Sequence, residues 1–275
     1  MRVSGGGRHR PIFTGSRPMR VCVFASGTGG NLRTVLQLVA RRPELLELAL
    51  VVSDRPGCDA VAIARTYGVE TIARDFAAAC GRASDARTAR ERAVYAACAR
   101  RFHDAIDDEL RAFERRTRPL DLIVLAYRRW IHGRLLARFE GRIVNQHPGD
   151  LRALDEDGRR VLVGNNPVLA ALRLGHPRVR TTTFVVDEGH DAGGIVCQGP
   201  WVSTVGHRPI QSDADRLEQV QKRVSDRPAL ICALTAIGSG TLALDPGRRG
   251  PDGSPSLVLD GVPLPFGGID LAACA

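Results

Sequence analysis

The chain has 275 residues, 44% of them hydrophobic, and a formal net charge of +9. That length supports one large domain or two small ones with a real core, and no apolar run of about 18 residues or more is present to span a membrane. The charge sits almost wholly on scattered arginines, Lys222 being the one lysine, and aromatic residues make up 5%, so a stacking surface for single-stranded nucleic acid is poorly supplied.

Residues 1–18 are basic and Gly-rich but lack the apolar segment of a signal peptide, and they read as a disordered or extended leader. A basic arm gripping an anion is the rarer alternative. The run RVCVFAS (20–26) is short, apolar and rich in β-branched and aromatic residues, as a strand is. GTGGN follows, and then apolar residues at 32, 35, 36, 38 and 39, which is helical spacing. LALVVSD (48–54) is the next strand, 57–68 a helix closed by Gly68, and VETIA (69–73) a third strand. This β-α-β-α-β alternation predicts a parallel, doubly wound sheet.

Residues 83–116, without Gly after Gly81 or any Pro, predict one or two exposed helices. LDLIVLAY (120–127) is a continuous apolar run, the pattern of a central parallel strand. A short helix at 132–141 and the strand RIVNQH (142–147) come next. Beyond them the pattern changes: a polar stretch with turn signals, a helix at 166–175, and two β-rich runs, 179–189 and 192–203, that predict an antiparallel hairpin. A helix is expected over 212–237, with Ser212 or Asp213 as N-cap and Pro228 kinking or dividing it. TLALD and SLVLDGVPL are late strands. The reading is a single domain over 19–275, with an α/β half to residue 150 and a mixed half after it. The seven cysteines form no C-x-x-C and no cluster with His, so they read as reduced thiols of a cytoplasmic protein rather than zinc ligands.

Three stretches carry chemistry. In SGTGGN, residues Ser26, Gly27, Thr28, Gly29, Gly30 and Asn31 join a strand to a helix. Glycines allow close backbone approach, and a helix N-terminus offers unpaired N–H groups, so an anion such as phosphate fits. The spacing is neither G-x-G-x-x-G nor a nucleoside-triphosphate loop. A plain strand-to-helix turn capped by Asn31 is the alternative. In VNQHP, Asn145 and His147 stand two apart on a strand and so project to one side. An amide that donates and an imidazole that shuttles a proton suit a tetrahedral intermediate at a carbonyl. The alternative is a strand end with two capping polar side chains. In DEGHDAGG, Asp187, Glu188, His190 and Asp191 crowd together. A carboxylate can fix an imidazole's tautomer there, or the segment is an acidic turn in solvent.

Taken in order, VCVFASGTGGNLR, LDLIVLAYRRWI, GRIVNQHP and TTFVVDEGHDAGGIV resemble the folate-dependent formyltransferases over about residues 19–270. The glycinamide ribonucleotide enzymes are the nearest branch. The resemblance implies a Rossmann-like α/β fold with antiparallel C-terminal additions and a one-carbon transferase activity. It makes Asn145, His147 and Asp191 catalytic and assigns the 26–31 loop to the phosphate of an acceptor. It places the pterin of 10-formyltetrahydrofolate against Arg128, Arg129, Trp130 and Ile131, with Asp187 as a further contact, and it calls for no metal. The partners it implies are the folate and a small-molecule amine, without nucleic acid or membrane; a homodimer stays open. A formyltetrahydrofolate hydrolase, formyl transfer to glycinamide ribonucleotide itself, and a non-catalytic nucleotide-binding module are the alternatives.

The chain also departs from that pattern. It reads HPGDLRALDEDGRR where the family continues from His-Pro into Ser-Leu-Leu-Pro, and YRRWIH where the family has a Gly-containing segment. A Glu that grips the acceptor in the glycinamide ribonucleotide branch falls at Val224 or Ser225. These changes predict a kept catalytic set and altered acceptor recognition.

Overall fold

A computed structural model describes residues 9–15, 17–189 and 191–272. The expectations for leader residues 1–8, for His190 and for Cys274 lie outside the described residues. The chain forms two compact units, one of them Met19–Ile143 and the other made of the remaining described residues. Of the leader, Arg10–Pro11 forms a short strand, β1, that belongs to the second unit; Ile12 and Phe13 after it are buried.

The first unit runs β2 (Met19–Ala25), α1 (Gly30–Arg41), β3 (Leu46–Ser53), α2 (Asp59–Thr66), β4 (Thr71–Ala73), α3 (Phe76–Cys80), α4 (Ala89–Arg116), β5 (Leu122–Ala126) and α5 (Gly133–Arg138). Its sheet has the order β5-β2-β3-β4 with every pair parallel. All of β2 is buried, which is why its sequence is a continuous apolar run rather than an alternating one. Val21, Val23 and Phe24 pair in register with Leu122, Val124 and Leu125. α1 lays Leu32, Val35 and Leu38 into the core, each such side chain contributing about 1.5–3 kcal/mol on burial. Gly68 ends α2 with φ of 67°, the left-handed conformation expected of it.

The stretch read as one or two exposed helices is the single 28-residue α4. Thr88 and Glu91 build a capping box at its start, and Phe102, Ile106, Leu110 and Phe113 form a buried stripe along it. Its buried Asp107 is met by Arg111 at 2.9 Å and Arg138 at 2.5 Å. The five-residue α3, capped by the Asp75 side chain, was not expected, because a single helical turn leaves no periodicity to read.

The chain passes into the second unit along β6 (Ile143–His147). There follow α6 (Pro167–Arg173), β7 (Arg178–Val179), β8 (Thr182–Val185), β9 (Ile195–Gln198), β10 (Val202–Ser203), α7 (Gln211–Gln221), α8 (Arg227–Gly238), β11 (Leu242–Arg249), β12 (Pro255–Leu259), β13 (Val262–Pro263) and β14 (Ile269–Asp270). The expected hairpin is present: β8 runs antiparallel to β9 on one side and to β6 on the other. Both β-rich runs are shorter than expected and each is split, 179–189 into β7 and β8, 192–203 into β9 and β10. β14, parallel to β9, was not foreseen. The late strands make a separate antiparallel sheet in the order β1-β11-β12-β13.

The long helix divides before Pro228, as expected, but through a π-helical turn, Lys222–Asp226. Proline supplies no N–H to the preceding carbonyls, and the wider turn absorbs the mismatch. Its start differs from expectation. The residue before the first turn is Ile210, no side chain caps the helix, and Asp213, its third residue, reaches back to accept the Arg208 N–H at 2.8 Å. Six cysteines are free thiols among the described residues. Among those residues no helix is long and apolar enough to cross a membrane.

Candidate active site

β6 delivers Asn145 and His147 to one face of its sheet, with Asn145 opposite Phe184 and His147 opposite Thr182 on β8. Asn145 is half-buried and His147 buried. Thr182 fastens the exit of the strand: its hydroxyl donates to the Gly149 carbonyl at 2.7 Å and accepts the Leu151 N–H at 3.2 Å. Asp150, from the stretch that departs from the family pattern, accepts from the Gln198 amide at 2.5 Å and lies 3.5 Å from the fully buried Arg180.

Asp191 comes from the loop between β8 and β9. Its Oδ2 stands 3.4 Å from Nδ1 of His147 and accepts the Gly164 N–H at 3.0 Å. Nε2 of His147 lies 2.6 Å from the Leu162 carbonyl oxygen. A carbonyl only accepts, so Nε2 carries hydrogen. An imidazolium satisfies the carbonyl and the carboxylate together, whereas a neutral ring protonated at Nε2 satisfies only the carbonyl. Asp191 has φ of 52°, a left-handed backbone uncommon for a residue other than glycine.

Leu162, Gly164 and Gly149 touch this pair, and sequence reasoning missed all three. Leu162 and Gly164 act through main-chain atoms, which leave no trace in residue type. Gly149 has a readable reason in the structure: a Cβ there would meet the Leu162 oxygen at 2.6 Å and the His147 ring at 3.0 Å. Asp187 is half-buried in the same loop and accepts the Gly189 N–H at 2.9 Å. Burial raises its carboxyl above the ordinary aspartate value, while the Gly189 bond and the nearby Arg160 charge oppose the rise.

The other named residues belong to the first unit. Ser26 is buried; its hydroxyl accepts the Arg128 N–H at 2.9 Å, which ties the Gly-rich loop to the 128–131 segment. Gly27, Thr28 and Gly30 are exposed. Gly29, with φ of 75°, precedes α1 and is covered by Ile63 and Ala60. Asn31 is therefore the second residue of α1 rather than its cap, and no side chain caps that N-terminus, nor does any acidic residue occupy the first turn. The unpaired N–H groups and the positive end of the helix dipole stay available to an anion. In the 128–131 segment Trp130 is exposed and Ile131 buried. Arg129 turns its side chain inward, to Asp54 at 2.8 Å and over the Phe76 ring at 4.4 Å.

Val224 and Ser225, where the resemblance puts a Glu that grips the acceptor, lie in the π-helical turn. Val224 is exposed there and Ser225 buried. Asp226 receives the Thr181 hydroxyl, and its main-chain oxygen accepts the Gln146 amide at 2.6 Å. Gln146 alternates with Asn145 and His147 along β6, so Asp226 lies across the sheet from them.

The formyl transferase family matches residues 19–227. The phosphoribosylglycinamide formyltransferase of Bacillus subtilis (strain 168) is 28% identical over 207 residues, 74% of this chain and 86% of that protein. Its namesake in Mycobacterium tuberculosis (strain ATCC 25618 / H37Rv) is 30% identical over 227 residues, 82% of this chain and 87% of the relative. Among solved structures, glycinamide ribonucleotide transformylase 1 from Symbiobacterium toebii has a TM-score of 0.64 at 25% identity, covering 90% of this chain and 97% of the other.

Proposed function

The chain belongs to the formyl transferase family, and from that premise we propose that it passes a formyl group from 10-formyltetrahydrofolate to the amine of a small, phosphorylated or otherwise anionic acceptor, using Asn145, His147 and Asp191. The observation that carries this reading is the His147–Asp191 pair at 3.4 Å, held at the end of the strand that also presents Asn145.

10-Formyltetrahydrofolate supplies a formyl carbon bonded to nitrogen and open to attack by an amine. Asn145 donates its amide N–H to the oxygen that gains charge during the attack. His147 places a cationic ring beside that oxygen; Leu162 and Asp191 fix the ring's orientation from both nitrogens. The attacking amine loses its proton to the Asp191 carboxylate, directly or through water, since a ring with hydrogen on both nitrogens only donates. As the intermediate collapses, the bond from the formyl carbon to the folate nitrogen breaks and that nitrogen takes up a proton, leaving tetrahydrofolate. In the first unit, main chain at 128–131 is the part assigned to the pterin. The exposed Gly27 and Gly30 and the uncapped start of α1 suit the acceptor's anionic group.

Glycinamide ribonucleotide, the substrate in the relatives' names, is the first acceptor to assay. The absence of a Glu at Val224 or Ser225, where the resemblance puts the residue that grips the acceptor, with Asp226 turned to the other face of β6, supports weak use of it. Release of tetrahydrofolate, followed with and without an amine, tests the reading. Release that depends on an amine supports it; equal release in water alone favours a hydrolase.

A further inference from the structure

We propose that Arg160, clamped to Asp252, is a positioning residue that sets Asp191 against His147. The inference rests on the assignment of that pair to catalysis. Arg160 and Asp252 are 5% and 4% exposed and meet at 2.6 Å, Nε to Oδ2. The same guanidinium donates from Nη1 to the Asp191 carbonyl and from Nη2 to the Gly193 carbonyl at 2.8 Å. One rigid fork thus holds three acceptors, two of them main-chain carbonyls, at Asp191 itself and two residues on at Gly193.

That turn needs an external hold. Asp191 sits at φ of 52°, which costs about 1 kcal/mol or more for a residue with a Cβ. Gly193 is pressed so closely on β8 that a Cβ would fall 1.6 Å from the Val185 oxygen. Asp252 is itself fixed, its Oδ1 accepting the Ser254 N–H at 3.0 Å in the turn between β11 and β12. The few residues from Arg160 onward therefore engage the pair at three points: the guanidinium on the Asp191 carbonyl, the Leu162 carbonyl on His147, and the Gly164 N–H on the Asp191 carboxylate. Arg160 is the last residue of the segment that departs from the family pattern.

A buried pair broken on one side leaves an uncompensated charge and can unfold the chain. The test therefore uses the full-length double variant Arg160→Met/Asp252→Asn, which buries no charge and keeps an acceptor for the Ser254 N–H. Its thermal midpoint is expected to stay near that of the wild type. Its kcat is expected to fall about 100-fold with KM for folate and acceptor little changed, the signature of misplaced catalytic groups. The 15N resonances of the His147 imidazole are expected to move, since Asp191 no longer faces Nδ1. Arg160→Lys keeps the charge but not the fork, so it should recover part of the activity. A double variant that folds with wild-type kcat and unchanged His147 resonances overturns the proposal. Should the wild type transfer no formyl group, the functional reading fails by itself, and the His147 resonances alone decide the brace: moved supports it, unchanged overturns it.

Discussion

His147 faces Asp191 across 3.4 Å, Nδ1 to Oδ2, and on its other side Nε2 donates to the Leu162 carbonyl at 2.6 Å. A ring held from both nitrogens cannot rotate, so its charge and its proton have one address. Removing it by His147→Ala should lower turnover about 100-fold or more, the usual scale for a positioned acid–base group. Asp191→Asn keeps an acceptor for Gly164 N–H but loses the charge, and should lower kcat in the same direction. Folate affinity, measured by quenching of intrinsic fluorescence, should change little in either. Near-normal turnover of His147→Ala would show that this strand end is not the active site.

Gly149→Ala tests the same geometry without touching a polar group. The added methyl is placed against the Leu162 oxygen and the His147 ring, and one of them must give way. Turnover is expected to fall by about tenfold or more at unchanged folate affinity. Wild-type kinetics in a folded Gly149→Ala protein would mean that the ring's position does not matter.

The Gly-rich loop calls for a substitution that leaves the fold alone. At Gly29 a Cβ would lie 2.7 Å from Ile63 Cδ1 on a left-handed backbone, so a change there strains the chain whatever it binds. At Gly27 a Cβ meets nothing within 4 Å. Gly27→Val should therefore keep the thermal midpoint and raise KM for an anionic acceptor about tenfold, the scale of a lost charge-assisted hydrogen bond. An unaltered acceptor KM would remove the loop from acceptor binding.

Asp226 gives a pH signature. Burial pushes its carboxyl up to about 6, against the Thr181 hydroxyl bond that lowers it. An unfolded aspartate titrates near ~3.9, so between about pH 4 and 6 the folded state holds a proton that the unfolded state has released. The native state gains stability as pH falls through that window and carries the cost of the buried charge above it. Asp226→Asn should raise stability by about 1–3 kcal/mol near neutral pH and lose the advantage toward pH 4. Denaturant melts across that range check it; a destabilised variant at neutral pH would show that the charge is compensated.

Elements long enough to show a period were legible from residue types: β2 and β5 from unbroken apolar runs, α1 from its spacing, the β8–β9 hairpin from its glycine-rich connection. The strand end with Asn145 and His147 was legible because Pro148 and Gly149 mark its limit. α3 and β14 were not, being too short to leave a pattern. The Arg160–Asp252 clamp was not either, since a buried arginine and a solvated one look alike in sequence. The same holds for Leu162 and Gly164, which act through the main chain, and for Asp226, whose placement across β6 depends on the π-helical turn.

The most direct measurement is the mass of the product formed from 10-formyltetrahydrofolate and a panel of phosphorylated amines that includes glycinamide ribonucleotide. The account predicts an N-formylated amine in step with tetrahydrofolate, absent with His147→Ala, and a catalytic efficiency on glycinamide ribonucleotide below about 10⁴ M⁻¹s⁻¹, the lower end for native substrates. Formate and tetrahydrofolate with every amine unmodified, or full product formation by His147→Ala, would contradict it.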